Sequence, residues 1–296
     1  LPMMGGAMMG APIVDEAARR WEVNAAWKTF YNYWFRHVWE YWWPLYINII
    51  MAAAIFRVPV WKIGLYQSAY SLVAIGVGVA VLFKNLPRLP RERDNGGSWR
   101  DVAKVVLSIW PIVLTIVLIF VLRLNMLIAL AVASALTQAA ARLDLKGRWA
   151  LLARSFQPRT VWLIFAVMAF KKVLEVSGAL EAVVRAVPPQ GASAYVLLFA
   201  APFTVGLLTG VNQAYVAIAF PLLVPIVGTG APDMVLLTFA FVSGFAGILL
   251  SPAHLCLALT AEYFKADMKD VYRVLVLPVA AVFAFALLEL VVLRVL

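Results

Sequence analysis

The most constraining feature of the sequence is an apolar stretch, Tyr195 to Val227, that is interrupted in its middle by Thr209-Gly210-Val211-Asn212-Gln213. A similar interruption, Gly5-Gly6, stands before the apolar segment Ala7 to Pro12. Lipid cannot hydrogen-bond a bare backbone, so irregular backbone at membrane depth occurs only where it lines a protein-enclosed or watery site. Matched interruptions in two halves of a chain are typical of the midplane substrate and ion site of secondary transporters.

The composition predicts an all-α polytopic membrane protein. Hydrophobic residues make up 64% of the 296 residues, and the mean hydropathy is +0.90. The single Cys256 excludes an intramolecular disulfide. Seven apolar segments beside the interrupted hairpin are long enough to cross a bilayer: Trp39 to Phe56, Trp61 to Phe83, Val105 to Leu122, Leu124 to Ala141, Thr160 to Gly178, Met234 to Thr260, and Tyr272 to Leu293.

The basic residues predict the orientation of these spans. The loop from Lys84 to Lys104 carries six Lys or Arg and the loop from Arg142 to Arg159 carries five, which places both loops in the cytoplasm. The rest of the topology follows by alternation, for a multi-pass protein of the prokaryotic inner membrane. This distribution accounts for the net charge of +10, so we expect no nucleic-acid partner.

The order of elements predicts two inverted repeats with re-entrant hairpins. Each half shows a broken hairpin, a Pro-broken span, a short charged turn and a closing span. An offset of 208 residues relates Pro44 to Pro252, Ala53 to Ala261, Phe56 to Phe264, and Leu82 to Leu290. We expect a first repeat at 1–86, a cytoplasmic linker at 87–104 and a second repeat at 105–296. The first repeat lacks a counterpart of Val105 to Thr209, so the chain is expected to be an N-terminally truncated fragment missing about 100 residues.

The helix predicted from Ala26 to Val38 is expected to lie in the membrane interface. From Ala26 to Val38, aromatic residues alternate with Lys28, Asn32 and Arg36, which favours a helix at the inner surface. His37 and Glu40, which follow this pattern, are interpreted as interfacial residues.

The tip residues of the second hairpin are the first candidates for substrate binding. Gly210 permits a tight turn, and Asn212 and Gln213 supply amide donors and acceptors. A helix starting near Ala214 would direct its N-terminal N–H groups at an anion, while the helix closing at Thr209 could coordinate Na⁺. The alternative is a plain kink that neighbouring helices satisfy.

The Pro-broken spans supply the next candidates. Pro44 and Pro252 each remove a backbone donor and free a carbonyl. Ser251 and His254, or Tyr46 and Asn48, could use these unwound turns. The imidazole of His254 could donate to a carboxylate or carry a coupling proton, because its ordinary pKa of about 6.5 lies in the physiological range. The alternative roles are packing beside a kink for His254 and simple kinking for the prolines.

A charged trio falls within the span Thr160 to Gly178. Glu175 lies four residues after Lys171 and three after Lys172, so one lysine can neutralise it and the other can attract an anion. The alternative is that the charges snorkel to the outer surface.

Several other features of the sequence limit the possible functions. The small-residue runs Ala129 to Ala141 and Gly76 to Gly78 favour helix packing or a homodimer surface. The sequence contains no Walker motif, no Cys/His metal spacing and no soluble region long enough for an ATPase domain. We therefore expect no cofactor other than Na⁺ as a coupling ion, and an ion gradient as the energy source.

Three segments carry a resemblance to a known family: Leu1 to Pro12, Asn32 to Glu40, and Ser251 to Cys256. They resemble an uncharacterised prokaryotic integral-membrane family, catalogued as a domain of unknown function and similar to the ion transporter superfamily. The resemblance implies relatives among gluconate, citrate and dicarboxylate carriers and some sodium/proton antiporters, whose hairpin tips contact ligand. The matching tips here are Gly5-Gly6 and Gly210 to Gln213. Neither carries a Ser-Asn-Thr triplet, so no known carboxylate specificity transfers.

The sequence thus predicts a secondary carrier, without enzymatic activity, for a small organic anion coupled to H⁺ or Na⁺ by an elevator-like or rocking motion. A Na⁺/H⁺ antiporter is the alternative, and it is disfavoured because the only mid-span acid is Glu175, beside two lysines. An intramembrane enzyme using Ser251 and His254 is a further alternative, for which no oxyanion partner or base-orienting acid is visible.

Overall fold

The computed structural model describes residues 6–18, 21, 23–85, 110–142, 144–155 and 191–294, with isolated positions between 158 and 178. All regular secondary structure in these residues is helical. The helices are α1 (Gly6–Ala18), α2 (Ala25–His37), α3 (Ile47–Phe56), α4 (Val60–Asn85), α5 (Trp110–Ile116), a π-helical turn (Val117–Val121), α6 (Met126–Ala140), α7 (Leu145–Ser155), α8 (Ala192–Thr209), α9 (Asn212–Val227), α10 (Met234–Leu249), α11 (Leu255–Phe264) and α12 (Met268–Arg294).

Three helices are long and apolar enough to cross a membrane, namely α4, α8 and α12. Five shorter apolar helices accompany them: α3, α6, α9, α10 and α11. A stretch of about 20 residues is needed to cross a bilayer. Each of the five shorter helices falls below this length on its own.

The interruptions expected at Gly210, Pro44 and Pro252 are present in the structure. The hairpin breaks at Gly210 and Val211, and α9 begins at Asn212, two residues before the expected start. The span predicted at Met234 to Thr260 is divided between α10 and α11 by the non-helical residues 250–254, which include Pro252. In the span predicted at Trp39 to Phe56, only Ile47–Phe56 is helical, so the first Pro break extends over residues 38–46.

The two Pro breaks have the same local geometry. Helix α3 and helix α11 each have ten residues, and their first residues are 208 positions apart. Each follows an extended residue, Tyr46 or His254, and each ends at a cationic residue in the left-handed region, Arg57 at φ 56° or Lys265 at φ 54°. The long helices α4 and α12 follow at the same offset.

Helix α10 lies at the centre of the apolar core. All but one of its residues are buried, and it packs against α8, α9, α12 and α4. Its crossing with α8 is very close, because a Cβ on Gly247 would lie 2.2 Å from the Phe203 carbonyl oxygen and one on Gly206 would lie 2.4 Å from the Gly244 carbonyl oxygen. Glycine at these positions lets two backbones touch, as small residues do in membrane helix pairs.

Helix α2 is present as predicted, but its expected interfacial position is wrong. Tyr33 and Trp34 are fully or almost fully buried, and α2 packs against α1, α4, α11 and α12. The Trp34 indole N–H donates to the Ala74 carbonyl over 2.9 Å, and the Tyr33 hydroxyl donates to the Leu249 carbonyl over 3.2 Å. The aromatic residues that suggested an interface instead fill the core, because α2 is enclosed by helices on several sides.

Some sequence predictions fall on residues that the structure does not describe. These are the first tip residue Gly5, the linker at 87–104, Lys171 and Glu175. Lys172 is described and is exposed.

Candidate binding site at the hairpin tip

The hairpin tip is a compact turn between α8 and α9. The Gly210 N–H donates to the Gly206 carbonyl over 2.9 Å, and Gly210 itself has a φ of +60°. The Thr209 hydroxyl donates to the Val205 carbonyl over 2.7 Å and accepts the Val211 N–H over 3.3 Å. The Thr209 hydroxyl therefore stabilises the turn, and both of these hydrogen bonds occupy it.

The tip packs directly on the second Pro break. A Cβ on Gly210 would lie 2.5 Å from both the Ala253 carbonyl carbon and the His254 nitrogen. The fully buried Ser251 hydroxyl donates to the Leu207 carbonyl over 2.6 Å. The Nδ1–H of His254 donates to the Gly210 carbonyl, with the two atoms 2.7 Å apart. Side chains of the Pro break thus satisfy two backbone carbonyls at the end of α8 and in the tip, as buried carbonyls require where water is excluded.

A buried carboxylate from the first Pro break faces this tip. Glu40 is 7% exposed. Its Oε2 accepts the Tyr46 hydroxyl over 2.5 Å and the Asn212 side-chain amide over 3.4 Å. Its Oε1 lies 3.9 Å from His37 Nε2. Asn212 is the first residue of α9, so a helix N-terminus and its partial positive charge lie beside a carboxylate.

Two buried amide oxygens lie in the same group of side chains. Asn48 is completely buried, and its amide donates to the Tyr215 hydroxyl over 3.3 Å. The Oδ1 atoms of Asn48 and Asn212 have no hydrogen-bond partner among the described residues. Buried amide oxygens without donors are costly in a purely structural role, and they are suitable ligands for a hard cation or acceptors for a bound donor.

Two histidines meet at the edge of this group. His37 is 1% exposed and His254 is 4% exposed. Their Nε2 atoms are 3.2 Å apart, and the two rings make an edge contact with centroids 5.2 Å apart. The ring of Tyr33 packs on both, with centroids 4.4 Å from His37 and 5.7 Å from His254.

The structure brings most of the predicted binding residues together. Gly210, Asn212, Asn48, Ser251 and His254 all belong to the tip, the two breaks or the side chains that join them. Gln213 is half-buried in the first turn of α9, and Gly6 is the first residue of α1. These two, together with Thr209, are not brought into the contacts around Glu40 by any described hydrogen bond.

Sequence reasoning missed three members of the group, Glu40, His37 and Tyr215, and the predicted interfacial position of Glu40 and His37 is wrong, because both side chains are buried. Tyr46 was named only as an alternative. A signal for Glu40 does exist, because it precedes Pro44 by four residues, within the break that the repeat predicts. No signal linked His37 to His254, which lie 217 residues apart.

A charged surface cleft lies elsewhere in the molecule. It has a volume of about 560 Å³ and is lined by Asn24, Ala25, Ala26, Lys265, Asp267, Asp270, Arg273 and Val274. Arg273 and Asp270 pair within it at 2.7 Å and are largely exposed. Because its charged side chains are exposed to solvent, this cleft is a weaker candidate than the buried group at the tip.

Comparison with known proteins places the chain in a family. Residues 1–295 match the family model described as "Protein of unknown function (DUF401)", and the chain belongs to this family. No curated protein matches the sequence.

Proposed function

We propose that this member of the DUF401 family is a secondary active transporter of the prokaryotic cell membrane that moves a small organic anion of the carboxylate class, coupled to H⁺ or Na⁺. One observation carries the proposal. The interrupted hairpin presents a helix start and the Asn212 amide to a buried carboxylate, that of Glu40. A site that holds an internal carboxylate away from water has the chemistry needed to hold a substrate carboxylate.

The paired elements support an inverted-repeat architecture. In this interpretation α1, α2, α3 and α4 correspond to α9, α10, α11 and α12. If a two-fold axis relates the repeats, a contact between α3 and α9 requires an equivalent contact between α11 and α1. Both contacts occur. Likewise α2 with α12 becomes α10 with α4, and both occur. Such two-fold relationships are typical of carriers whose site lies between repeats.

The position of Glu40 suggests how anion and cation would be coupled. Two carboxylates close together in a low-dielectric site repel strongly. A substrate carboxylate can therefore approach the Asn212 amide only when a cation neutralises Glu40. H⁺ bound to the Glu40 carboxylate would neutralise it. Na⁺ would also neutralise it, if coordinated by that carboxylate and by the Oδ1 atoms of Asn48 and Asn212, which are unpaired among the described residues. Cation and anion would then move together, which is symport.

The Na⁺/H⁺ antiporter is the second candidate, and Glu40 is the observation that favours it. The sequence argument against an antiporter rested on the absence of a suitable buried acid. Glu40 is such an acid, and antiporters require one to exchange H⁺ for Na⁺. The enzymatic alternative gains no support from contacts, because the Ser251 hydroxyl donates to the Leu207 carbonyl and not to His254.

Reconstitution in liposomes tests the proposal. Uptake and exchange of a panel of carboxylates and of ²²Na⁺ would be measured for the wild type, Asn212→Ala and Glu40→Gln. Asn212→Ala should weaken apparent substrate affinity about 10-fold or more, because a hydrogen bond to a charged group contributes about 1.5–3 kcal/mol. Glu40→Gln should still exchange substrate but fail to accumulate it against a gradient. Asn85→Ala is the matched control, since Asn85 is exposed and its amide only donates to Val81 in its own helix.

The outcomes separate the candidates. Unchanged affinity in Asn212→Ala would place the anion site elsewhere. Na⁺/H⁺ exchange that Glu40→Gln abolishes, with no uptake of any carboxylate, would establish the antiporter instead.

A further inference from the structure

The two buried histidines have an unusual hydrogen-bonding arrangement. In each ring the Nδ1 atom lies against a backbone carbonyl oxygen, that of Tyr33 at 2.6 Å for His37 and that of Gly210 at 2.7 Å for His254. A carbonyl oxygen only accepts, so both Nδ1 atoms must carry the hydrogen. In the neutral rings the Nε2 atoms are then bare, and two lone pairs face each other across 3.2 Å.

Two facing lone pairs in a dry site need a cation between them. The distance suits a transition metal. Zinc binds imidazole nitrogen at about 2.0–2.1 Å, so two nitrogens on one tetrahedral ion lie about 3.3–3.4 Å apart. The observed 3.2 Å is close to this value without any rearrangement of the rings.

A third ligand of the right kind lies beside the pair. The Sγ of Cys256 and the two histidine nitrogens all lie within 4.8 Å of one another. Thiolate and imidazole together select zinc and monovalent copper over magnesium, calcium or sodium.

The surroundings also match those of protein metal centres. Metal-binding histidines commonly donate their second ring N–H to a carbonyl or carboxylate, which fixes the tautomer and the ring orientation. His37 and His254 both do so. Tyr33 closes one side of the site, and Phe245 lies with its ring centroid 6.5 Å from that of His37. Glu40, with Oε1 at 3.9 Å from His37 Nε2, supplies a negative charge that offsets that of the ion.

We propose that His37, His254 and Cys256 form a binding site for a thiophilic transition-metal ion of the Zn²⁺ or Cu⁺ type, with three protein ligands. His37 comes from the end of α2, whereas His254 and Cys256 come from the break before α11 and its first turn. Because His254 also holds the Gly210 carbonyl, the ion would fasten the hairpin tip to α2. The three ligands are different residues from Asn212 and Glu40, so metal binding does not require that a carboxylate is carried, although the ion would lie next to Glu40.

Metal content and cobalt spectroscopy test the proposal. The purified protein would be stripped with a chelator and titrated with Zn²⁺, with Cu⁺ under anaerobic reducing conditions, and with Co²⁺ as a spectroscopic probe. One ion per chain is expected, with thiolate-to-cobalt charge-transfer absorption in the near ultraviolet. Cys256→Ser should remove that band, and His37→Gln or His254→Gln should weaken binding at least 10-fold. Ser243→Ala, which removes only a hydroxyl that donates to the Phe239 carbonyl in its own helix, should bind like the wild type.

A measurement on the unaltered protein guards against variants that fail to fold. Zinc- or copper-edge X-ray absorption should show one sulfur and two nitrogen neighbours from imidazole. A stoichiometric ion with no sulfur neighbour would overturn the proposal, as would binding that persists unchanged in all three ligand variants. If the stripped protein takes up none of the three metals, the cation between the two rings is a proton and the proposal fails.

Discussion

Gly210 touches the backbone of His254 so closely that no side chain fits between them. A Cβ on Gly210 would lie 2.5 Å from the His254 nitrogen, and the φ of +60° already disfavours any L-residue. The tip and the second Pro break are therefore joined through backbone contact, and the side chains of Ser251 and His254 reinforce the join. Both the proposed anion site and the proposed metal site depend on it.

The first prediction tests this contact. Gly210→Ala should destabilise the protein by about 1–3 kcal/mol through overpacking and backbone strain. Gly210→Val should cost more and abolish transport. Gly76→Ala is the control, since nothing lies within 4 Å of a Cβ there, and it should be neutral or slightly stabilising. Thermal unfolding in detergent measures both, and equal stability of the two alanine variants would contradict the packing of the tip.

The second prediction concerns the hydrogen bond between Tyr46 and Glu40. Tyr46→Phe removes a 2.5 Å hydrogen bond to a buried carboxylate, so we expect a loss of about 1.5–3 kcal/mol in unfolding free energy. Tyr66→Phe alters a tyrosine that is 45% exposed and should change stability by less than about 0.5 kcal/mol. Chemical denaturation of the two variants side by side is the measurement. A Tyr46→Phe protein as stable as Tyr66→Phe would mean that Glu40 is satisfied by other groups.

The third prediction concerns the crossing of α8 and α10. Gly247→Ala places a methyl group 2.2 Å from the Phe203 carbonyl oxygen, so the helices must separate, and we expect a lowered unfolding temperature. Ser243→Ala on the same helix removes only a local bond to the Phe239 carbonyl and should have a small effect. The reverse ranking in a thermal-shift assay would show that the crossing is looser than described.

The fourth prediction concerns topology. The distribution of Lys and Arg predicts that Lys146 lies in the cytoplasm and Asn125 outside. Cysteines introduced at these positions in a Cys256→Ser background should react with an impermeant thiol reagent from opposite sides of the membrane. Reaction of both from one side would overturn the assigned orientation.

Local signals predicted the divided helices well. Gly210, Pro44 and Pro252 act on their own turn of backbone, so their effects can be read without knowing the neighbours. Breaks in the helices were therefore predicted to within a few residues, except that the first Pro break is longer than expected.

The membership of the site could be predicted only in part, because it depends on which helices pack together. His37 and Glu40 lie among Trp and Tyr residues that suit a membrane interface equally well. They are enclosed because several helices pack against α2 and the hairpin tip faces Glu40, and no spacing within residues 23–56 indicates this. The sequence likewise showed no metal-binding spacing, since the ligands come from two distant segments.

The hydrogen bond between Tyr46 and Glu40 also matters while the chain is being translated. Asn212, the other hydrogen-bond partner of Glu40, is 172 residues further along the chain. At about 5–20 residues per second, the ribosome takes roughly 10 to 35 seconds to reach it. During that interval Tyr46, which is six residues from Glu40, has already been synthesised and can donate its hydrogen bond to the carboxylate. A nascent chain lacking this hydroxyl would carry a bare carboxylate while the rest of the protein is still being translated.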